Sequence, residues 1–141
     1  MTQTETTERG TKPVLRYIIA AVALLFGLVT IKAGGDVLFF NGQAKASAGN
    51  YVLFVLWANF IAGFLYVICA AMILLRLALA FNVAAFIAVA TAVVFAALGL
   101  HIASGGAYEM RTVYAMVFRT TIWITIAIGL QKINGSSRGK E

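Results

Sequence analysis

The chain has 141 residues, of which 62% are hydrophobic and only 11% are charged. A soluble domain is about 25% charged, so this composition argues against one and is typical of a protein that spans a membrane. The formal net charge of +6 does not indicate a nucleic-acid partner, because the basic residues flank apolar runs instead of forming one patch.

Four apolar runs are long enough to cross a bilayer, since a hydrocarbon core of about 30 Å requires about 20 residues of helix. We therefore predict an all-α integral membrane four-helix bundle, formed by residues 13–133 as one domain. The polar segments at residues 1–12 and 134–141 are predicted to be disordered cytoplasmic tails. The predicted crossings cover residues 14–31, with an extension to residue 40, residues 51–75, residues 79 or 82 to 102, and residues 112–130.

The basic residues predict the orientation of the bundle. Seven lie in the tails or in the short turn after the second crossing, and three lie beside the other two loops. By the positive-inside rule both termini are cytoplasmic, and the first and third loops are outside. The seven are Arg9, Lys12, Arg16, Arg76, Lys132, Arg138 and Lys140, and the three are Lys32, Lys45 and Arg111.

Small residues mark the expected helix contacts. Small residues at a spacing of four let helix backbones approach closely in lipid, so we predict a packing face in the third crossing. The first and second crossings carry shorter stripes of the same kind. The third crossing has Ala84, Ala88, Ala92 and Ala96, with Gly99 close to the same line, and the shorter stripes are Ala23 with Gly27 and Asn59 with Gly63.

Arg119 is the least expected residue in the sequence, because it lies near the middle of the fourth crossing. An arginine there costs about 2.5 to 3.5 kcal/mol on insertion scales, so a partner or a ligand must compensate it. Side chains lean toward the N-terminus of their helix, and the guanidinium should therefore point toward the outer loops. The residues that share its helix face are Glu109, Thr112, Met116 and Trp123.

Polar residues from the other crossings are expected to meet Arg119 at the outer end. Trp57 and Asn59 in the second crossing are about as deep as Arg119, and Asn59 is a candidate hydrogen-bond partner. Outside the tails, the only acidic residues are Asp36 and Glu109, both on the outer side. We predict a polar pocket that opens outward, with the ligand-binding residues Arg119, Asn59, His101, Glu109, Asp36, Tyr108 and Trp57, and with Arg111 also at its rim.

Several of these residues also have simpler possible roles that do not involve a pocket. Tyr108, Arg111 and Lys32 are also typical of side chains that anchor helix ends in the headgroup region. Glu109 can stabilise the positive end of a helix dipole. His101 can be an interfacial histidine that binds no ligand.

No motif for catalysis or for a bound cofactor is present. One histidine excludes bis-histidine haem ligation within the chain, and no ligand spacing supports a metal site at His101, Glu109 and Asp36. The lone Cys69 excludes an intrachain disulfide and a CxxC pair. "SGGAYE" is a turn and not a phosphate-binding loop. Proton transfer through Glu109 and His101 stays open, because imidazole titrates near neutral pH.

The stretch "NFIAGFLYVICAAMILLRLALAFNVAAFIAVA" and the later "HIASGGAYEM" resemble the DoxX-like superfamily of small bacterial four-helix membrane proteins. The resemblance covers about residues 55–115. Two positions depart from the family pattern, because Asn59 stands where the family typically has an acid and "FFNGQAK" has Asn41 where it usually has a histidine. The matching positions are Asn59, Gly63, Arg76, His101, Gly105, Gly106, Tyr108 and Glu109.

The resemblance implies a multi-pass protein of the bacterial inner membrane with a quinone-adjacent role or a redox partner. It implies no catalytic residue. We therefore expect a non-catalytic protein that binds a quinone-like or other lipid-soluble ligand in the outward pocket, or that docks a redox partner. The alternatives are an oligomeric transporter or channel protomer built on the alanine face, and an integral membrane enzyme that acts on lipid with His101 and Glu109 as base and acid.

Overall fold

A computed structural model describes residues 2–40 and 42–138, with side chains for residues 12–40 and 42–135. Every element in the described part of the chain is a helix, which confirms the all-α prediction. The elements are α1 (Thr2–Phe39), α2 (Gln43–Ala48), α3 (Leu53–Leu74), α4 (Ala80–Ala103) and α5 (Met110–Arg138).

Four of these helices are long and apolar enough to cross a membrane. The candidate spans are Lys12–Phe39, Leu53–Leu74, Ala80–Ala103 and Met110–Gly135. We call the end of the bundle that carries α2 and the α4–α5 connection the loop end. The opposite end, where α1 begins, α5 ends and α3 turns into α4, is called the terminal end.

The helix bounds agree with the predicted crossings to within a few residues, except at the two ends of the chain. α1 begins at Thr2 and α5 ends at Arg138, so helical backbone extends into both segments that were assigned to tails. A helix that has already formed extends at little cost, because each further residue adds one hydrogen bond. Asn41 and residues 139–141 lie outside the described residues.

The helices pack as two pairs, α1 with α3 and α4 with α5, and the contacts between α3 and α4 and between α1 and α5 are thinner. α1 and α3 approach most closely at two glycines. A Cβ atom on Gly63 would lie 2.7 Å from Ile31 Cγ1 and 3.2 Å from the carbonyl oxygen of Gly27. The small-residue stripes of the first and second crossings thus meet at Gly27 and Gly63.

The predicted alanine face of α4 is correct at one end only. Ala84 and Ala88 are buried, but Ala92 and Ala96 face outward, and nothing lies within 4 Å of a Cβ atom placed on Gly99. A helical turn takes 3.6 residues, so a stripe at every fourth residue rotates by about 40° per step and leaves the interface. Thr91 and Leu98 continue the buried face instead.

The interior contains two separate apolar clusters. The larger one, toward the terminal end, includes Tyr66, Ile73, Ala84 and Trp123. The smaller one, toward the loop end, consists of the buried residues Val52, Val55, Leu98 and Met116. The buried polar side chains Thr30, Thr91 and Arg119 belong to neither cluster.

Candidate functional site

Arg119 faces the interior of the bundle, and only 8% of its surface is exposed. It lies about 5 Å from the middle of its candidate span at 1.5 Å per residue. Met116 on one side and Trp123 on the other are fully buried on the same face of α5. This is the orientation that the cost of a lipid-facing arginine predicts.

The contacts of the guanidinium are few and weak. Nη2 donates to Thr30 Oγ1 at 3.4 Å, and Nη1 approaches Met116 Sδ at 3.9 Å. The Phe26 ring adds a cation–π contact, with Cζ 5.5 Å from the ring centroid. No carboxylate among the described side chains lies within salt-bridge distance of Arg119. A guanidinium has five N–H donors, so most of its hydrogen-bonding capacity is unused.

Three buried donors in this region have no hydrogen-bond acceptor among the described residues. They are Arg119 Nε, the Tyr66 hydroxyl and Trp123 Nε1. The Tyr66 and Trp123 rings are packed together with centroids 4.6 Å apart. An unsatisfied buried donor costs about 1 to 3 kcal/mol, so three in one region are unusual. These three donors therefore remain available to an acceptor that is not part of the described chain.

A cavity of about 450 Å³ leads from the loop end down to Arg119, and we call it the Arg119 cavity. Thr30, Gly34 and Val37 of α1 form one wall, and α2 covers it through Ala44 and Ser47. The opposite walls include Leu56 and Asn59 of α3 and Glu109, Thr112, Ala115 and Arg119 of α5.

The acidic residues of this cavity lie at its rim and already have partners. Asp36 forms an ion pair with Lys32, with 2.6 Å between Nζ and Oδ2. Glu109 accepts a hydrogen bond of 2.9 Å from the backbone N–H of Asn50, which connects the α2–α3 segment to the start of α5. Arg111 also lines the cavity. The rim is therefore close to neutral, and the unpaired positive charge lies at the floor.

Four of the seven predicted ligand-binding residues line this cavity, namely Arg119, Asn59, Glu109 and Asp36. The predicted hydrogen bond between Asn59 and Arg119 is absent. Thr30 takes that place, because α1 brings its hydroxyl to the guanidinium from 89 positions away in the sequence. The Asn59 amide makes no hydrogen bond with the other described side chains, and it faces the cavity.

The other three predicted residues lie elsewhere. His101 and Trp57 line a shallower groove together with Phe54, and Tyr108 lines neither this groove nor the Arg119 cavity. His101 Nε2 lies 3.0 Å from the carbonyl oxygen of Ala107. His101 and Glu109 therefore line different concavities, and the His101 imidazole is turned toward the loop that connects α4 and α5.

The Gly-Gly segment of the α4–α5 connection has a conformational role. Gly105 has φ +82°, a region that favours glycine. Gly106 packs against the His101 ring so closely that a side chain could not be added without displacing the ring. Its N–H donates to the His101 carbonyl at 2.9 Å. These contacts account for the spacing of His101, Gly105 and Gly106 by the geometry of the turn.

Within the described part of the chain, no group of three or more His, Cys, Asp or Glu side chains could hold a metal ion. Cys69 is buried and lies 3.8 Å from the carbonyl oxygen of Ala80, in a structural position. The arrangement around Arg119 has no acid and base side by side. Its chemical capacity is to bind a molecule through hydrogen-bond acceptors.

Fold and site together define a helical protein with four candidate membrane spans and an uncompensated arginine beneath a polar cavity. No protein-family model matches the chain, and no curated protein or solved structure is significantly similar to it. The resemblance to DoxX-like proteins stays a prediction that rests on the motif residues.

Proposed function

We propose that the chain is a non-catalytic protein of the bacterial inner membrane that binds one small lipid-soluble molecule in the Arg119 cavity. A carbonyl oxygen of the molecule accepts hydrogen bonds from Arg119. The observation that carries this proposal is the buried guanidinium with an unpaired Nε and no carboxylate within salt-bridge distance among the described side chains. Such a group is costly without a partner, and an acceptor oxygen supplies one.

A quinone-like molecule suits the cavity in two respects. Its carbonyl oxygens are acceptors without a formal charge, so it can partition into the bilayer before it reaches Arg119. A volume of about 450 Å³ accommodates a ring with substituents, because small-molecule sites commonly measure about 300 to 1,000 Å³. Asn59 supplies both a donor and an acceptor on the opposite wall.

An oligomeric transporter or channel stays the second candidate. The outward-facing Ala92, Ala96 and Gly99 of α4 form a small-residue surface on which another copy could pack closely. A docking role toward a redox partner is compatible with a bound quinone and is not a separate alternative.

The proposal predicts that Arg119→Leu abolishes tight binding of a decyl-substituted benzoquinone. The chain has two tryptophans, so Trp57→Phe leaves Trp123, one helical turn below Arg119, as the reporter. In that background we expect saturable quenching of fluorescence, with an affinity at least tenfold lower after Arg119→Leu, since the main donor is lost. Arg119→Lys should bind with intermediate affinity, because the planar fork of donors is lost while the charge remains.

Tyr114→Leu is the matched control, since Tyr114 is on the same helix and 68% exposed. It should titrate like the parent chain. If Arg119→Leu also titrates like the parent, then Arg119 does not bind the ligand and the proposal is wrong.

A further inference from the structure

A second cavity lies at the terminal end of the bundle, where the function proposed above makes no use of it. It measures about 720 Å³, is open to the surface, and is bordered by α1, the α3–α4 turn, α4 and α5. We call it the terminal cavity. Its polar lining residues are Arg16, Arg76, Asn82, Gln131 and Asn134, and no carboxylate is among its lining residues.

The two arginines of this cavity have no counterion among the described side chains. The Lys32–Asp36 pair is the one ion pair in that part of the chain, and it lies at the loop end. Neither Arg16 nor Arg76 makes a side-chain hydrogen bond there. Arg16 is half-buried and Arg76 is exposed, and both line this cavity. An anion in the cavity would be attracted by both positive charges.

Arg76 has a backbone conformation in which an arginine is unusual. Arg76 has φ +56°, and it is the one non-glycine residue with positive φ in the described chain. It follows the C-cap of α3 in a Schellman turn, in which Leu77 N–H donates to Met72 O at 3.0 Å. Glycine normally takes this position, because any other residue is strained in the left-handed region. The turn alone therefore does not favour arginine.

The remaining lining also suits an anion. α4 begins at the cavity, with Phe81 and Asn82 of its first turn in the lining. The first turn of a helix carries a partial positive charge and free N–H groups. The side-chain amides of Gln131 and Asn134 add hydrogen-bond donors from α5.

We propose that the terminal cavity binds a phosphate-bearing anion, with Arg16 and Arg76 as its principal ligands. Guanidinium groups match the geometry of phosphate oxygens, and basic cavities between membrane helices hold the phosphate groups of lipids. The phosphate comes either from the headgroup of an anionic phospholipid or from a free anion. Membrane topology alone requires basic residues near this end, but it does not require two of them to line one cavity.

The experiment uses the purified full chain in an uncharged detergent and native mass spectrometry. The probes are phosphatidylglycerol, phosphatidylcholine with the same acyl chains, and inorganic phosphate as a competitor. We expect selective retention of phosphatidylglycerol, reduced about tenfold by Arg16→Gln or by Arg76→Gln, as for the loss of one charge-assisted contact. Arg76→Gly relieves the backbone and removes the guanidinium, so it should lose binding without loss of thermal stability.

Lys132→Gln is the control, because Lys132 is exposed on α5 at the same end and does not line the cavity. It should bind like the parent. Displacement of the lipid by millimolar inorganic phosphate identifies a site for the free anion as well, and lack of displacement identifies a headgroup site. The proposal is overturned if phosphatidylcholine is retained equally, or if Lys132→Gln reduces binding as much as Arg16→Gln.

Discussion

Arg119 illustrates how a single side chain determines the chemistry of an apolar bundle. Its charge is held in the interior by one weak hydrogen bond to Thr30, by the sulfur of Met116 and by the face of Phe26. These contacts replace only part of the hydration that a guanidinium loses when it is buried. The residue is therefore better explained by something that it binds than by what it contributes to packing.

Tyr66→Phe tests whether the donors beside Arg119 are truly unpaired. The Tyr66 hydroxyl makes no hydrogen bond of good geometry with the described residues, although the side chains of Thr91 and Trp123 lie close to it. Its ring packs against Phe26 and Trp123. Removal of the hydroxyl keeps the ring contacts and relieves an unsatisfied buried group. We expect the free energy of unfolding in detergent to be unchanged or raised by about 1 kcal/mol.

The matched control for this measurement is Tyr114→Phe, because the Tyr114 side chain faces outward and should tolerate the change. A fall in stability of more than about 1 kcal/mol for Tyr66→Phe alone would show that the hydroxyl has a partner, such as a buried water.

At the level of single residues, the sequence predicts which side chain matters but not what it touches. The inward orientation of Arg119 follows from the cost of a charge in lipid. The contact with Thr30 does not, because it depends on how α1 is rotated relative to α5. Asn59 was the reasonable choice from depth alone, yet depth along a helix says nothing about the direction in which a side chain points.

The closest contact between elements is the crossing of α1 and α3 at Gly27 and Gly63. Because a Cβ atom on Gly63 would meet both a side chain and the backbone of α1, Gly63→Ala should force the two helices apart. We expect a loss of about 1 to 3 kcal/mol in unfolding free energy, the usual cost of overpacking. Thermal unfolding in detergent, followed by circular dichroism, measures it.

Gly99→Ala is the matched control, since that position has open space around it. Alanine is a better helix former than glycine, so this change should leave stability unchanged or raise it by up to about 1 kcal/mol. Equal losses for the two substitutions would contradict a close contact at Gly63.

The length of the apolar runs predicted the positions of the helices well. The sequence predicted less well which face of each helix is buried. The four spans were predictable because bilayer thickness sets their length. The sequence analysis did not predict the short helix α2. It has only six residues, three of them alanine, and is flanked by Gly42 and Gly49, so it shows no hydrophobic periodicity. The alanine face of α4 was only half correct, because a spacing of four residues does not follow one side of a helix.

For the whole molecule, the orientation in the membrane is a prediction that labelling can test. In a Cys69→Ala background, a cysteine at Gln43 marks the loop end and a cysteine at Ala78 marks the terminal end. The positive-inside rule predicts that a membrane-impermeant maleimide labels Gln43→Cys from outside intact cells and labels Ala78→Cys only after lysis. The reverse pattern would show that the termini face outward.

The sequence also predicts that the loop end is polar, but it does not predict that the polar residues there line two separate concavities. His101 and Glu109 are eight residues apart, and both belong to the predicted rim. The turn at Gly105 and Gly106 directs the imidazole back onto its own loop, so the two side chains line separate concavities. The backbone conformation of this short connection determines which concavity each side chain lines, and the amino-acid composition does not reveal that conformation.

α1 pairs closely with α3 and α4 pairs with α5, and the contacts between these two pairs are thinner. The hydrogen bond from Arg119 to Thr30 joins α5 of one pair to α1 of the other pair. In the proposed function, a bound carbonyl oxygen competes with Thr30 for the same guanidinium. Ligand binding would then exchange a contact between α1 and α5 for one between α5 and the ligand.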